Sequence, residues 1–344
     1  HAYTLPPKTR KAQVEILRDG ASSVYGSDAV AGVVNYVTEK KPHGTQTSVR
    51  WGVTQHGGGM DIDAKLGYGV TFAEGKGSWI INVGGYYRDS IFLRERAFTA
   101  NTNRIAYARA PWNVPGSAYD GSTSNGLYPS FFLGTSPTVS TATTFFYPLS
   151  GVPGETPALT NTALPRSLYA NFNQYVGGQP QTTRGNIYNR FEYEMTNKIH
   201  LFSEVSGYNS TSVVSREPTL LTVSDSRVSL AADNPYNPYG SRFYSPTGAP
   251  NADGTLRLTG TPQAITIASV QFPDPERIEA ADNMYRLLVG FDGSIGQSTW
   301  KWETAAMLGG VRALDLWKNG LRDSKLRDAG NRTDATAFNP FGWT

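Results

Sequence analysis

Two pairs of carboxylates stand two residues apart, Asp61 with Asp63 and Glu192 with Glu194, and close carboxylates are what general acid–base dyads are made of. The four histidines, His1, His43, His56 and His200, are too scattered for a metal-ligand cluster, and with no cysteine there is neither a thiolate site nor a disulfide. The segment EGKGS at 74–78 lacks the glycine spacing and the Lys-Ser/Thr pair of a nucleotide-binding loop, and no G-x-S-x-G or H-E-x-x-H occurs. Asn209-Ser210-Thr211 and Asn331-Arg332-Thr333 fit the glycosylation triplet, which is common by chance.

The carboxylate pairs lose their catalytic look once the elements that carry them are considered. In DIDAKLGYGVTF, Ile62, Ala64, Leu66, Tyr68, Val70 and Phe72 share one parity, and Asp61, Asp63, Lys65, Gly67, Gly69 and Thr71 the other. That is the period of a two-faced strand, on which spacing of two simply places both acids on one face. Similar alternation sets Val49, Trp51 and Val53 against Arg50, and Trp79, Ile81, Val83 and Tyr87 against Asn82 and Arg88. Ile187, Phe191 and Tyr193 oppose Arg190, Glu192 and Glu194; Ile199, Leu201 and Val205 oppose His200 and Glu204. Two further segments follow, with Tyr285, Leu287, Val289 and Phe291 opposite Arg286 and Asp292, then Trp300, Trp302, Ala306 and Leu308 opposite Lys301 and Glu303. About seven strands are therefore expected, in a chain whose 36 glycines, 19 tyrosines and 15 phenylalanines favour strands and turns.

Connection lengths alternate between tight and very long. The tight ones fall near 73–78, 196–197 and 293–298, the long ones near 90–184 and 212–281, with QHGGGMD a short exception between the first two strands. Two structureless connections of that size are foreign to compact soluble domains and ordinary in outer-membrane barrels, whose periplasmic turns are short and external loops long. Phe72, Trp79, Tyr193, Phe291 and Trp300 sit on the apolar parity beside the tight turns, as an interfacial aromatic girdle would. On the other parity Arg50, Asp63, Lys65, Arg88, Arg190, Glu192, Glu194, Glu204, Arg286, Lys301 and Glu303 would face a lumen holding a polar filling. No apolar run reaches the ~18 residues of a membrane helix, and a mean hydropathy of −0.38 says nothing against spanning strands, which alternate. The net charge of +3 is dispersed in both signs, which sets nucleic acid aside as a partner.

Residues 13–40, QVEILRDGASSVYGSDAVAGVVNYVTEK, resemble the end of the plug domain of TonB-dependent outer-membrane receptors. The family pattern of a VEVLRGP strand, a glycine turn, a YGS stretch and a GGVINIVT strand has counterparts in Glu15, Arg18, Gly20, Tyr25, Gly26, Ser27, Gly32 and Asn35. Asp19-Gly20 stands where many members read Gly-Pro, and Ala31-Gly32 where paired glycines are common; both departures suit turns. VEIL would form a buried strand and VVNYVT the next one.

The resemblance implies a mostly β chain: a C-terminal part of a plug domain over 1–42, then over 43–344 the N-terminal part of a transmembrane antiparallel β-barrel, about seven of 22 strands. It implies a fragment lacking the upstream segment that recruits the TonB energy-coupling protein, in a bacterial outer membrane, with lipid, that coupling protein and a small nutrient as partners. Uptake of an iron chelate, cobalamin or carbohydrate would be active and plug-gated, with no cofactor, no metal and no enzymatic activity. Glu15 and Arg18 would lie in the polar zone between plug and barrel wall. In the loops, Trp112, Tyr119, Tyr128, Tyr236 and Tyr239 are candidate ligand contacts, because aromatic rings give large contact area at low entropic cost. NPYNPYG at 234–240 and NPFG at 339–342 are an internal echo that reads as turn chemistry. The rivals are a passive porin-like channel, which needs no plug, and a secreted all-β carbohydrate-binding protein or enzyme, in which the alternating faces would form a sandwich.

Overall fold

Strict apolar–polar alternation leaves a chain few choices beyond the extended ribbon, and the computed structural model is built from such ribbons. It describes residues 11–17, 33–38, 44–121, 129–134, 145–146, 170–222 and 228–341. The chain falls into two compact units, one of His1–Ile91, Gln179–Val213 and Glu279–Leu316, the other of Phe92–Gly178, Val214–Ile278 and Trp317–Thr344.

The first unit opens with a hairpin of β1 (Lys11–Leu17) and β2 (Val33–Thr38), antiparallel, with Glu15 opposite Asn35. The expectation that VEIL is buried fails at its end, where Ile16 and Leu17 are exposed; a two-stranded hairpin has no second layer of its own. The rest is an antiparallel sheet of β3 (Gly44–Gly52), β4 (Asp61–Phe72) and β5 (Gly77–Arg88), followed after a short β6 (Ile91–Phe92) and long excursions by the larger ribbons. Those excursions contain β7 (Ser130–Leu133), β8 (Phe145–Phe146) and β9 (Gly177–Gln179) before β10 (Gln181–Thr196) pairs with β5. Next come β11 (Ile199–Thr222), β12 (Ser229–Leu230), β13 (Tyr244–Ser245), β14 (Leu258–Thr259), β15 (Ile265–Ser294) and β16 (Lys301–Lys318). The main ribbons neighbour one another in the order β3-β4-β5-β10-β11-β15-β16, so the seven expected strands are present as a large antiparallel sheet.

The tight turns lie where the sequence put them. Between β4 and β5, Ala73, Glu74 and Gly75 take positive φ of 52°, 55° and 90°. After β3, Thr54 donates its hydroxyl to the carbonyl of Gly57 at 2.7 Å or of Gly58 at 2.8 Å and closes the glycine-rich loop. The ribbons, however, outrun the expected limits. β11 has 24 residues and β15 has 30, about 80 and 100 Å at ~3.3 Å per residue, where ~9–11 residues cross a bilayer. The second long connection thus shrinks from 212–281 to 223–264.

Burial in the sheet is the reverse of a soluble protein's. Along β4, Ile62, Ala64, Leu66 and Tyr68 are exposed while Asp61, Asp63 and Lys65 are half-buried. Val49 is 72% exposed, Trp51 64% and Leu66 50%, whereas Asn82 is 3% exposed and Thr182 1%. At the tight-turn end the aromatic side chains touch: Phe72 stacks on Tyr193 at 6.1 Å and meets Phe191 at 5.8 Å, and Tyr68 meets Trp79 edge-on. The Phe72 ring lies over its cross-strand partner Gly77, where any Cβ would collide with it.

The second unit obeys the ordinary rule. Phe131 on β7, Leu230 on β12, and Ile265 and Ile267 on β15 form a fully buried core with Val228 and Val270. Leu326 of the helix α1 (Asp323–Gly330), Phe338 and Phe341 complete it, with Phe131 edge-on to Phe341 at 5.9 Å and Phe272 stacked on Phe338 at 6.0 Å. The expectation of long structureless connections is therefore corrected: parts of both excursions pair as strands on β15 and share one core. Among the described residues, no helix is long and apolar enough to cross a membrane.

Candidate functional site

The register of the sheet stacks polar side chains in rows across one face. Arg190 of β10 lies opposite Glu204 of β11 and Ile80 of β5; two positions along, Glu192 lies opposite Phe202 and Ser78. Even spacing from this row brings Tyr188, Asn186 and Arg184 of β10, Asn82, Gly84 and Tyr86 of β5, and Lys65, Asp63 and Asp61 of β4 onto the same face.

At its centre is a network of charges. The Arg190 guanidinium donates from Nε to Glu192 Oε1 at 2.8 Å and from Nη1 to Glu204 Oε1 at 2.7 Å. Arg286 donates to the other Glu204 oxygen at 3.0 Å, Tyr188 donates its hydroxyl to Glu204 Oε1 at 3.3 Å, and Ser78 donates to Glu192 Oε2 at 3.4 Å. Charge-assisted bonds of this kind are the strong class, and Glu204 is held between two guanidinium groups. Arg50 pairs with Asp61 at 2.8 Å and Lys65 with Asp63 at 2.9 Å, so the first carboxylate pair is also occupied by cations. Glu194 is exposed, apart from the Glu192 network. Nearer the tight turns His200 Nδ1 meets Asp292 Oδ1 at 2.7 Å. Among the described residues the face is a wall of paired charges and hydrogen bonds.

Of the eleven side chains expected on that wall, register and contacts place Arg50, Asp63, Lys65, Arg88, Arg190, Glu192, Glu204 and Arg286 together. Lys301 and Glu303 are exposed on β16. Of the plug motif, Arg18, Gly20, Tyr25, Gly26, Ser27 and Gly32 lie outside the described residues, and Glu15 and Asn35 are described as backbone partners.

Among the described residues the candidate ligand aromatics do not form one cluster. Trp112 and Tyr119 are exposed in a turn-rich stretch where Ser117 donates its hydroxyl to the Trp112 carbonyl at 2.6 Å. Tyr128 lies outside the described residues. Tyr236 donates to the Ala335 carbonyl at 3.4 Å. Tyr239 is packed edge-on to Phe131 at 6.0 Å and stacked on Tyr244 at 5.6 Å, and burial, then the neighbouring Tyr244, raises its phenol pKa.

The Asn-Pro echo proves structural, and more deeply so than turn chemistry alone suggests. Asn234 and Asn237 are fully buried. Asn234 accepts from the Tyr236 amide at 2.9 Å and donates to the Gly330 carbonyl at 3.0 Å. Asn237 accepts from the Tyr239 amide at 2.9 Å and donates to Ala231 at 2.9 Å or Gln263 at 2.8 Å. Asn339 repeats the turn by accepting from the Phe341 amide at 3.0 Å. A second local motif, Asp-x-Thr, lowers the carboxyl pKa of Asp253 and of Asp334 through hydrogen bonds from the hydroxyl and amide of Thr255 and Thr336.

Among the described residues no group of histidine, aspartate and glutamate could hold a metal ion. No protein-family profile, curated protein or solved structure matches this chain.

Proposed function

We propose that this chain belongs to an outer-membrane receptor of the TonB-dependent kind, contributing the end of a plug and the first strands of a barrel that imports a scarce nutrient actively. The observation that carries the reading is the inverted sheet, with Val49, Trp51, Leu66, Val83, Val205 and Leu308 exposed on one face and Asn82, Thr182, Ser210 and the Arg190 network drawn in on the other. Hydrocarbon outside and a wet, filled interior is the environment that rewards such a sheet. A soluble sandwich would bury the apolar row against a second layer. Among the described residues β3 and β16 are edge ribbons, and closing a barrel takes further strands to pair with them. The plug-like motif at 13–40 favours the receptor over a passive porin.

On this reading the long excursions face outward and capture an iron chelate, cobalamin or carbohydrate, the plug closes the lumen, and an inner-membrane coupling protein acts on the plug. Fractionation of cells expressing the intact gene product tests the location: it should sediment with the outer membrane and resist extraction by carbonate. Recovery in a soluble fraction would overturn the proposal. An uncoupler of the proton gradient should abolish uptake of the nutrient whose loss accompanies deletion of the gene; uptake that survives the uncoupler would move the protein to the porin class.

A further inference from the structure

A charge borders the leucine, valine and aromatic rows of the apolar face. Gly310 of β16 sits where its Cβ would meet the ring of Tyr285 of β15, so the two residues share that face. Antiparallel strands advance in opposite directions, so two positions on from Gly310 and two back from Tyr285 come Arg312 and Asn283, side by side in the next row. The neighbour on β11 is Asn209, whose side-chain amide donates to Asn283 Oδ1 at 2.7 Å. All three side chains are exposed. Among the described residues on this face of β3, β4, β5 and β10, and of β11 and β15 as far as this row, no Asp, Glu, Lys or Arg occurs, whereas leucine, valine and aromatic side chains recur.

Position along the strand gives the row a meaning. From Trp302, at the tight-turn end, to Arg312 is about 33 Å of strand at ~3.3 Å per residue, or about 23 Å of depth for a ribbon tilted ~45°. An outer-membrane apolar band is ~25 Å tall, so the row falls at its far rim, where a long cationic side chain can reach the headgroups.

We propose that Arg312, with Asn283 and Asn209, is a binding site for the phosphate of a lipid in the outer leaflet, the guanidinium pairing with the phosphate and the two amides with its ester or sugar oxygens. This rests on the membrane reading above. A planar guanidinium suits a phosphate through paired, charge-assisted hydrogen bonds, and the site faces the bilayer, which makes lipid rather than free phosphate the occupant.

The intact protein, delipidated in detergent and titrated with phosphatidylglycerol, should retain the lipid in native mass spectra. Arg312→Leu should lower that retention about tenfold, Asn283→Leu should lower it less, and Arg312→Lys should keep part of it. An excess of inorganic phosphate should not displace the lipid; full displacement by phosphate would overturn the assignment to lipid. Wild-type retention in Arg312→Leu, in a protein that still inserts into vesicles, would overturn the site while leaving the membrane reading intact. Failure of the wild type to insert would overturn both.

Discussion

The two units of this chain use opposite rules for what to hide. In the sheet unit the side chains drawn in are Asn82, Thr182, Ser210 and Tyr188, with Ile80 among them, and the large aliphatic side chains stand exposed. In the other unit Phe131, Leu230, Ile265 and Ile267 are fully buried. One chain under one solvent has no reason to do both, because burying apolar area is favourable wherever water surrounds it, at roughly 25 cal/mol per Å². Different surroundings for the sheet and the excursions would produce this contrast, and it is the contrast, more than either half, that the proposed function addresses.

The strongest way to break the comparison is in the core of the excursions. Phe131→Ala should cost about 3–5 kcal/mol, seen as lost amide-exchange protection in Ile265, Ile267 and Phe341 while the β4–β5–β10 ladder keeps its own. Next, Leu66→Arg should cost about 2–4 kcal/mol of folding stability in lipid if Leu66 sits mid-bilayer, and Lys65→Arg almost nothing. Equal effects of the two would remove the case for two different solvents. Replacing Glu204 by leucine leaves two guanidinium groups facing a missing partner and should cost about 1–3 kcal/mol, read from the denaturant midpoint; Arg190→Met made in the same chain should recover part of it. Gly77→Val pushes a side chain into the Phe72 ring and should cost about 1–3 kcal/mol, with the near-ultraviolet signal of the aromatic cluster reduced.

The smallest expected effect concerns Asp334. Its folded pKa is lowered, so the stability it lends is present above the unfolded carboxyl value and is lost as pH falls through the folded one. A carboxyl titration by NMR should find its midpoint below that of an ordinary aspartate, and Thr336→Ala should move it upward. An unchanged midpoint in that variant would show that the Thr336 hydroxyl is not the cause.

The sheet was legible because each of its strands carries the alternation in its own residues. DIDAKLGYGVTF states both faces of β4, and AEG and TN announce their turns. What was not legible is where β11 and β15 extend: residues 207–222 and 265–284 mix polar and apolar side chains, and Pro218, Pro273 and Pro275 read as breaks because proline removes a ladder donor. The second core was hidden for another reason. It joins Phe131, Leu230, Ile265 and Phe341 from elements as short as two residues, so no local window holds its pattern. The carboxylate wall was readable as a face, but the sharing of Glu204 between Arg190 and Arg286 depends on register across three strands. Asn234 and Asn237 announced turns; their burial followed only from where Gly330 and Gln263 fold back.

Those buried asparagines also bear on how the molecule ages. An asparagine deamidates when the backbone nitrogen of the next residue attacks its side-chain amide, and proline, carrying no N–H, cannot close that ring. Asn234, Asn237 and Asn339 are each followed by proline, whereas Asn319 is followed by Gly320. The pegs that fasten the excursions are thus chemically durable, and slow hydrolytic wear falls first on the two Asn-Gly steps, Asn125-Gly126 and Asn319-Gly320, the second at the end of β16.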